Sequence, residues 1–190
     1  VHTLLLGGRL ENEQQFSDRG ANQLLLIEDS KGKLYAADSE PFNVAYQNNL
    51  EIFTTELNQI FAWERVTLSL GGRFQWGTFD TSVSMTNPPG LAPLFRGPLN
   101  TDATDDMQRA TGYGYLTVEP LKQLWLIGGL AYDELTYPQN YRYPPIASGE
   151  DSLSQLGPKA AVVWQPLAQA TLRGAFTRSL GGVSLDESYR

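Results

Sequence analysis

Residues Leu156–Arg178 read LGPKAAVVWQPLAQATLRGAFTR, and their period decides the fold. Positions 156, 158, 160, 162 and 164 are Leu, Pro, Ala, Val and Trp. The positions between them are Gly157, Lys159, Ala161, Val163 and Gln165. After the turn, Ala170, Leu172, Gly174 and Phe176 alternate with Gln169, Thr171, Arg173, Ala175 and Thr177. A period of two is that of a β-strand, whose successive side chains point to opposite faces. The stretch is therefore two strands joined by a very short turn. One face is apolar. The other carries Lys159 and Arg173 and meets water. The apolar face meets either a protein core or lipid.

The same pattern recurs outward from this hairpin. Val66–Thr78 is the cleanest case: Val66, Leu68, Leu70, Gly72, Phe74 and Trp76 face one way, and Thr67, Ser69, Gly71, Arg73, Gln75 and Gly77 the other. Gln47–Trp63, Gln108–Val118 and Leu121–Tyr137 read as further strands, and Val1–Leu10 as a less regular one. Tight turns fall near 64–65, 119–122 and 166–168. Residues 11–46, 81–107 and 138–154 read as long connections. The first holds a small hairpin, QLLLIEDSKGKLYAAD, turning at Ser30, Lys31 and Gly32, expected in a loop or at a rim. The second carries Pro88, Pro89, Pro93 and Pro98, too many for a central strand.

Short and long connections alternate, so one end of the sheet collects the turns and the other the loops. An all-β, antiparallel up-and-down meander built this way has the layout of a transmembrane outer-membrane β-barrel, with short periplasmic turns and long extracellular loops. Bulk properties agree. No run of about 18 apolar residues exists to form a membrane helix, but a barrel strand needs only about 9–11 residues. The chain has no cysteine, which excludes a disulfide scaffold and a thiolate metal site. A net charge of −7 argues against nucleic acid as a partner. Trp63, Trp125 and Trp164 lie close to tight turns, and Tyr132 and Tyr137 toward the long loops. Trp and Tyr favour the membrane–water interface because an apolar ring carries one polar group. These five are the expected interface aromatics. Core aromatics of a soluble β-sandwich binding module are the competing reading.

LGPKAAVVWQPLAQATLRGAFTRSL resembles the strand–turn–strand of TonB-dependent receptor barrels, with its Pro-Lys start, aromatic–x–Pro turn and Thr-Leu-Arg strand. FAWERVTLSLGGRF resembles the family's Leu-x-x-Gly-x-Arg strand pair through Leu68, Gly71 and Arg73, and LWLIGGLAYD is a weaker copy. The family's usual Gly-Phe-Arg-Ala-Pro continuation is replaced by Ser179–Ser184, which implies a divergent subgroup. The resemblance covers residues 47–190. It implies an internal barrel piece of about six to eight strands of a larger closed sheet, lacking the plug domain, the TonB-contacting box and the C-terminal aromatic strand. Its partners would be outer-membrane lipid, a plug, the TonB energy-transducing protein and a small solute. A passive porin or structural barrel without a plug remains the alternative.

Candidate chemistry is sparse. His2 is the only histidine and has no nucleophile-elbow sequence near it, so no enzyme is expected and no cofactor is implied. Asn100–Asp106 and Gly149–Ser152 hold clustered carboxylates of the type that binds Ca²⁺, but fit no EF-hand spacing and read more simply as solvated acidic loops. The polar face presents Glu56, Asn58, Arg73, Gln75, Asp133, Lys159 and Arg173. As lumen residues, Arg73, Gln75, Lys159 and Arg173 are candidates to contact a plug or a ligand; as wall residues they would simply be solvated. The loop aromatics Phe95, Tyr137, Tyr141 and Tyr143 are candidates to grip a ligand, with interface anchoring as their competing role.

Overall fold

The computed structural model describes residues 1–28, 31, 33–87, 99–140 and 146–180. They form one seven-stranded antiparallel sheet in sequence order, curved into a half-barrel. Its strands are β1 (His2–Glu28), β2 (Leu34–Ala62), β3 (Val66–Thr86), β4 (Leu99–Leu121), β5 (Leu124–Asn140), β6 (Ala147–Leu167) and β7 (Ala170–Thr177). Every strand pairs with its chain neighbour, so the meander expected from the alternation is the fold.

Register explains the faces. Leu57↔Gly72, Gly72↔Gly112 and Gly112↔Tyr132 are paired across β2 to β5, and Tyr132↔Leu156 continues to β6. Paired residues share a face. On the convex face, Leu57, Leu70, Phe74, Trp76, Leu116, Leu126, Leu130, Tyr132, Leu156, Val162, Leu172 and Phe176 are all exposed. On β5 this apolar run spans Leu124 to Tyr132, close to the about 9–11 residues of a tilted membrane strand. A soluble protein rarely leaves so continuous an apolar face uncovered.

The strands are longer than the alternation suggests. β1 and β2 stay paired from His2↔Ile60 to Glu28↔Leu34, so the hairpin placed in an irregular 11–46 loop is the far end of two continuous strands. Gly20, at φ +73°, absorbs the register shift between Asp18 and Ala21. β3 and β4 consume most of 81–107, and β5 and β6 most of 138–154. The proline-rich segment 88–98 lies outside the described residues.

The reason is a reversal of phase. Near the short turns the apolar side chains of β2 sit at odd positions, Phe53, Leu57 and Phe61. Further up they sit at even positions: Phe42, Val44, Tyr46, Leu50 and Ile52, all buried. β3 switches the same way, from Leu68, Leu70, Phe74 and Trp76 to the buried Phe79, Val83 and Met85. On β5, Leu135 is buried beyond Tyr132. The lower wall is thus apolar outside, and the upper wall is apolar inside. Two inner clusters result. Phe42, Val44, Tyr46, Val83, Met85, Ala103 and Ile146 form one. Leu50, Ile52, Phe79, Met107, Leu135 and Leu180 form the other, with Tyr137 packed against it. Leu180 follows β7 and is buried in the second cluster, so the chain turns inward there.

The short-turn rim is stitched together. Glu64–Arg65 joins β2 to β3, with Trp63 N–H donating to the Val66 carbonyl at 2.8 Å. The next two turns are Lys122–Gln123 and Ala168–Gln169, slightly later than the sequence suggested. Each follows a register shift, at 118/121 and 164/167. Pro120 and Pro166 occupy these bulges, where no ladder donor is required. The N–H before each proline pairs with the neighbouring turn: Glu119 with the Arg65 carbonyl and Gln165 with the Gln123 carbonyl, both at 2.8 Å.

The concave wall as candidate functional site

In the lower wall, the concave face is the polar one. Register places Glu56 opposite Arg73, Arg73 opposite Thr111, and Thr111 opposite Asp133. The side chains follow. Arg73 Nε donates to Glu56 Oε2 at 2.7 Å, and the Tyr113 hydroxyl donates to Glu56 Oε1 at 2.5 Å. Gln75 donates to Thr54 at 3.0 Å, and Ser69 to Asn58 at 2.8 Å. Asp133 Oδ1 accepts from Arg109 Nη2 at 2.8 Å and from Thr111 at 2.7 Å. Lys159 Nζ donates to the Tyr115 hydroxyl at 2.8 Å.

Two tyrosines on β4 organise this network. Tyr113 lies over Gly71 of β3, and Tyr115 over Gly129 of β5; an added Cβ at either glycine would run into the ring. The rings meet each other at 5.5 Å between centroids, tilted by 44°. Through their hydroxyls they reach β2 at Glu56 and β6 at Lys159. Five adjacent strands are tied by one aromatic–polar ladder. Neither tyrosine stood out in the sequence. The readable signal was an aromatic residue in the polar phase of one strand with glycine in the same phase of its neighbour.

This geometry yields a prediction. Gly71→Ala forces Tyr113 off its seat and is expected to cost about 1–3 kcal/mol by overpacking. Adding Tyr113→Ala should recover part of that loss, because the obstacle is then gone. Urea unfolding of the two single variants and the double variant measures this. Independent, additive costs would mean that the ring does not bear on Gly71.

The expected site residues separate into groups. Arg73, Gln75 and Lys159 are on the concave wall but engaged by the wall's own partners. Arg173 is also on this face, paired in register with Val163, and has no hydrogen bond or ion pair among the described residues. Tyr141 and Tyr143, like Phe95, lie outside the described residues. Of the aromatics expected at the interface, Trp63 is exposed at the β2–β3 turn, stacked on Phe61. Trp164 and Tyr132 are exposed on the convex face. Trp125 and Tyr137 differ. Trp125 pairs with Val163 on the concave face, and Tyr137 packs on the second inner cluster. The strand period turns both away from the apolar surface. The upper edge of the convex band carries instead Trp76, which stacks on Phe53 at 5.8 Å and on Phe74 at 5.5 Å.

The acidic run does not converge. It lies on β4, not in a loop, and alternation sends Asp102 and Asp106 to one face and Asp105 to the other. Asp105 is buried, where it accepts from Ser148 Oγ at 2.8 Å and the Gly149 N–H at 3.0 Å. It fastens the start of β6 to the inner wall. Among the described residues no three acidic or histidine side chains gather around a possible metal position.

Residues 20–190 match the family model described as TonB dependent receptor-like, beta-barrel. No curated protein matches the chain.

Proposed function

The chain belongs to the TonB dependent receptor-like β-barrel family, and from that premise we propose that it forms part of the barrel wall of an energised importer. The family is one of outer-membrane transport barrels. Under this reading the short turns face the periplasm and the long connections the exterior. The barrel is completed by further strands, and the interior holds a plug through which a TonB protein delivers energy. The solute is scarce and is moved inward.

The observation that carries this reading is the split wall. Its convex face is apolar over one membrane thickness, and its concave face carries the polar and charged side chains over the same height, with apolar Trp125, Ile127 and Val163 among them on β5 and β6. A polar, satisfied interior suits a plug or a passing solute rather than a packed core. Arg173, uncommitted within the wall, is the lumen residue we assign to contact with the plug or the solute. Arg73, Gln75 and Lys159 support the wall that presents it. The barrel's outer surface would sit in the outer membrane of a Gram-negative-type envelope.

Planar-bilayer conductance tests the claim without knowledge of the solute. The intact receptor is expected to be silent, and to open steady channels only after a denaturant has displaced the plug. Steady conductance before any denaturant would leave a passive porin as the correct reading.

A further inference from the structure

We propose that β5, β6 and β7 dock an acidic, apolar segment of the plug at the short-turn end of the lumen, and that β2, β3 and β4 line the open route beside it. This rests on the plug-bearing reading above and assigns the plug one side of the wall. The concave face is not uniform. On β2 to β4 its members bind one another: Arg73 with Glu56, Gln75 with Thr54, Ser69 with Asn58. On β5 to β7 two register rows break that pattern. Trp125, Val163 and Arg173 form one, and Ile127, Ala161 and Ala175 the next. Lys159 stands in the row above, opposite Gly129 and Thr177.

Size and burial select a resident protein segment. From the Trp125 row to the Lys159 row the patch is about 13 Å tall, and its three strands make it about 10 Å wide. That is the footprint of one helix, about 10–12 Å across. Ala161 and Ala175 keep its centre shallow, so another backbone can approach closely. Trp125, Ile127 and Val163 are only half-buried, and Ala175 is exposed. Apolar surface facing a wet lumen favours a lasting cover. A passing solute has to leave again, and the satisfied polar ladder of β2 to β4 offers it a less adhesive path.

Charge selects the chemistry of that segment. Arg73 and Arg109 on this wall are each paired with a carboxylate. Among the described residues Lys159 meets only the hydroxyl and ring of Tyr115, and Arg173 has no ion pair or hydrogen bond. Two cations without carboxylates, one at each end of an apolar centre, fit a segment with apolar side chains between acidic ones.

Photocrosslinking in the intact receptor tests this. Benzoylphenylalanine is placed at Trp125 or Ala175 in the patch, and at Ser69 or Gln75 on the opposite sector. The first two positions are expected to capture a segment of the same chain outside the barrel severalfold more than the second two. Mass spectrometry should place Asp or Glu beside the captured apolar residues. Arg173→Glu should lower the yield at Trp125 severalfold, and an acidic-to-Lys change in the captured segment should restore it. Equal or reversed yields between the sectors overturn the docking side and leave the plug-bearing reading intact. So does capture at Trp125 and Ala175 confined to neighbouring barrel strands. No capture outside the barrel at any of the four positions overturns both. Should Arg173→Glu fail to insert, Arg173→Gln is expected to lower the yield as well, and an unchanged yield overturns the proposal.

Discussion

Leu126→Arg is expected to destabilise the barrel by about 2–4 kcal/mol, because it places a guanidinium at mid-depth on the lipid face. Leu126 pairs with Val118 and Val162, both on the convex side, and is 46% exposed. In water, that exposure would make an arginine harmless; in hydrocarbon, it is what makes it costly. Gln75→Arg is the matched change on the concave wall, where the guanidinium stays in a polar, hydrated space. Register adds one penalty there, since Gln75 is directly opposite Arg109. Like charges facing each other across a strand pair cost up to about 1 kcal/mol. Urea unfolding from lipid vesicles should therefore show a clear difference between the two variants. Equal costs on the two faces would mean that both pack against protein, and the membrane reading would fail.

The faces on which this prediction rests were legible in the sequence. Leu68, Leu70, Phe74 and Trp76 against Ser69, Arg73 and Gln75 already gave β3 its two environments. The hairpin at Leu156–Arg178 gave the same for β6 and β7, and Lys159 and Arg173 do face the concave side. The order of short and long connections gave the topology. The ends of the strands were not legible, and the phase reversal says why. An alternation rule looks for one apolar face per strand. In β2 the apolar face changes from odd to even positions between Phe53 and Ile52, so the strand reads as broken where it only leaves the apolar band. Beyond that point water is outside and protein inside, and ordinary soluble-sheet patterning resumes. The expected loops were strand by this rule.

The site was less legible than the fold. Charged residues on the polar face were recognisable, but not which of them are bound to one another. That depends on register, which shifts at bulges such as 118/121 and cannot be counted from one strand alone. Arg73 looked available because its partner Glu56 is 17 residues away. Trp125 looked like an interface anchor because its distance from the turn is right, although its parity turns it inward. Height along a strand and the face of a strand are separate questions. Aromatic belts depend on both.

Asp133→Ala is expected to cost about 2–4 kcal/mol, since it leaves the partly buried Arg109 without its counter-ion. The Asp133 side chain is 6% exposed and that of Arg109 23%. One carboxylate oxygen accepts Arg109 Nε at 3.1 Å and Nη2 at 2.8 Å, and Thr111 Oγ1 at 2.7 Å. Charged hydrogen bonds are worth more than neutral ones, but both partners also lose hydration on being enclosed, so the pair's net value is below the cost of breaking it. Arg109→Leu combined with Asp133→Ala should therefore be less damaging than Asp133→Ala alone. A double-mutant cycle measured by urea unfolding gives the coupling directly. Additive losses would show that Arg109 is hydrated in the lumen and indifferent to Asp133. The location gives the result a wider meaning. Asp133 is followed on the same face by the buried Leu135, and Arg109 is preceded on its face by the buried Met107. This ion pair closes the upper edge of the polar wall where the inner apolar core begins. Strong coupling would mean that the wall changes character over a single alternation step, with the charge pair enclosed on its upper side by that core.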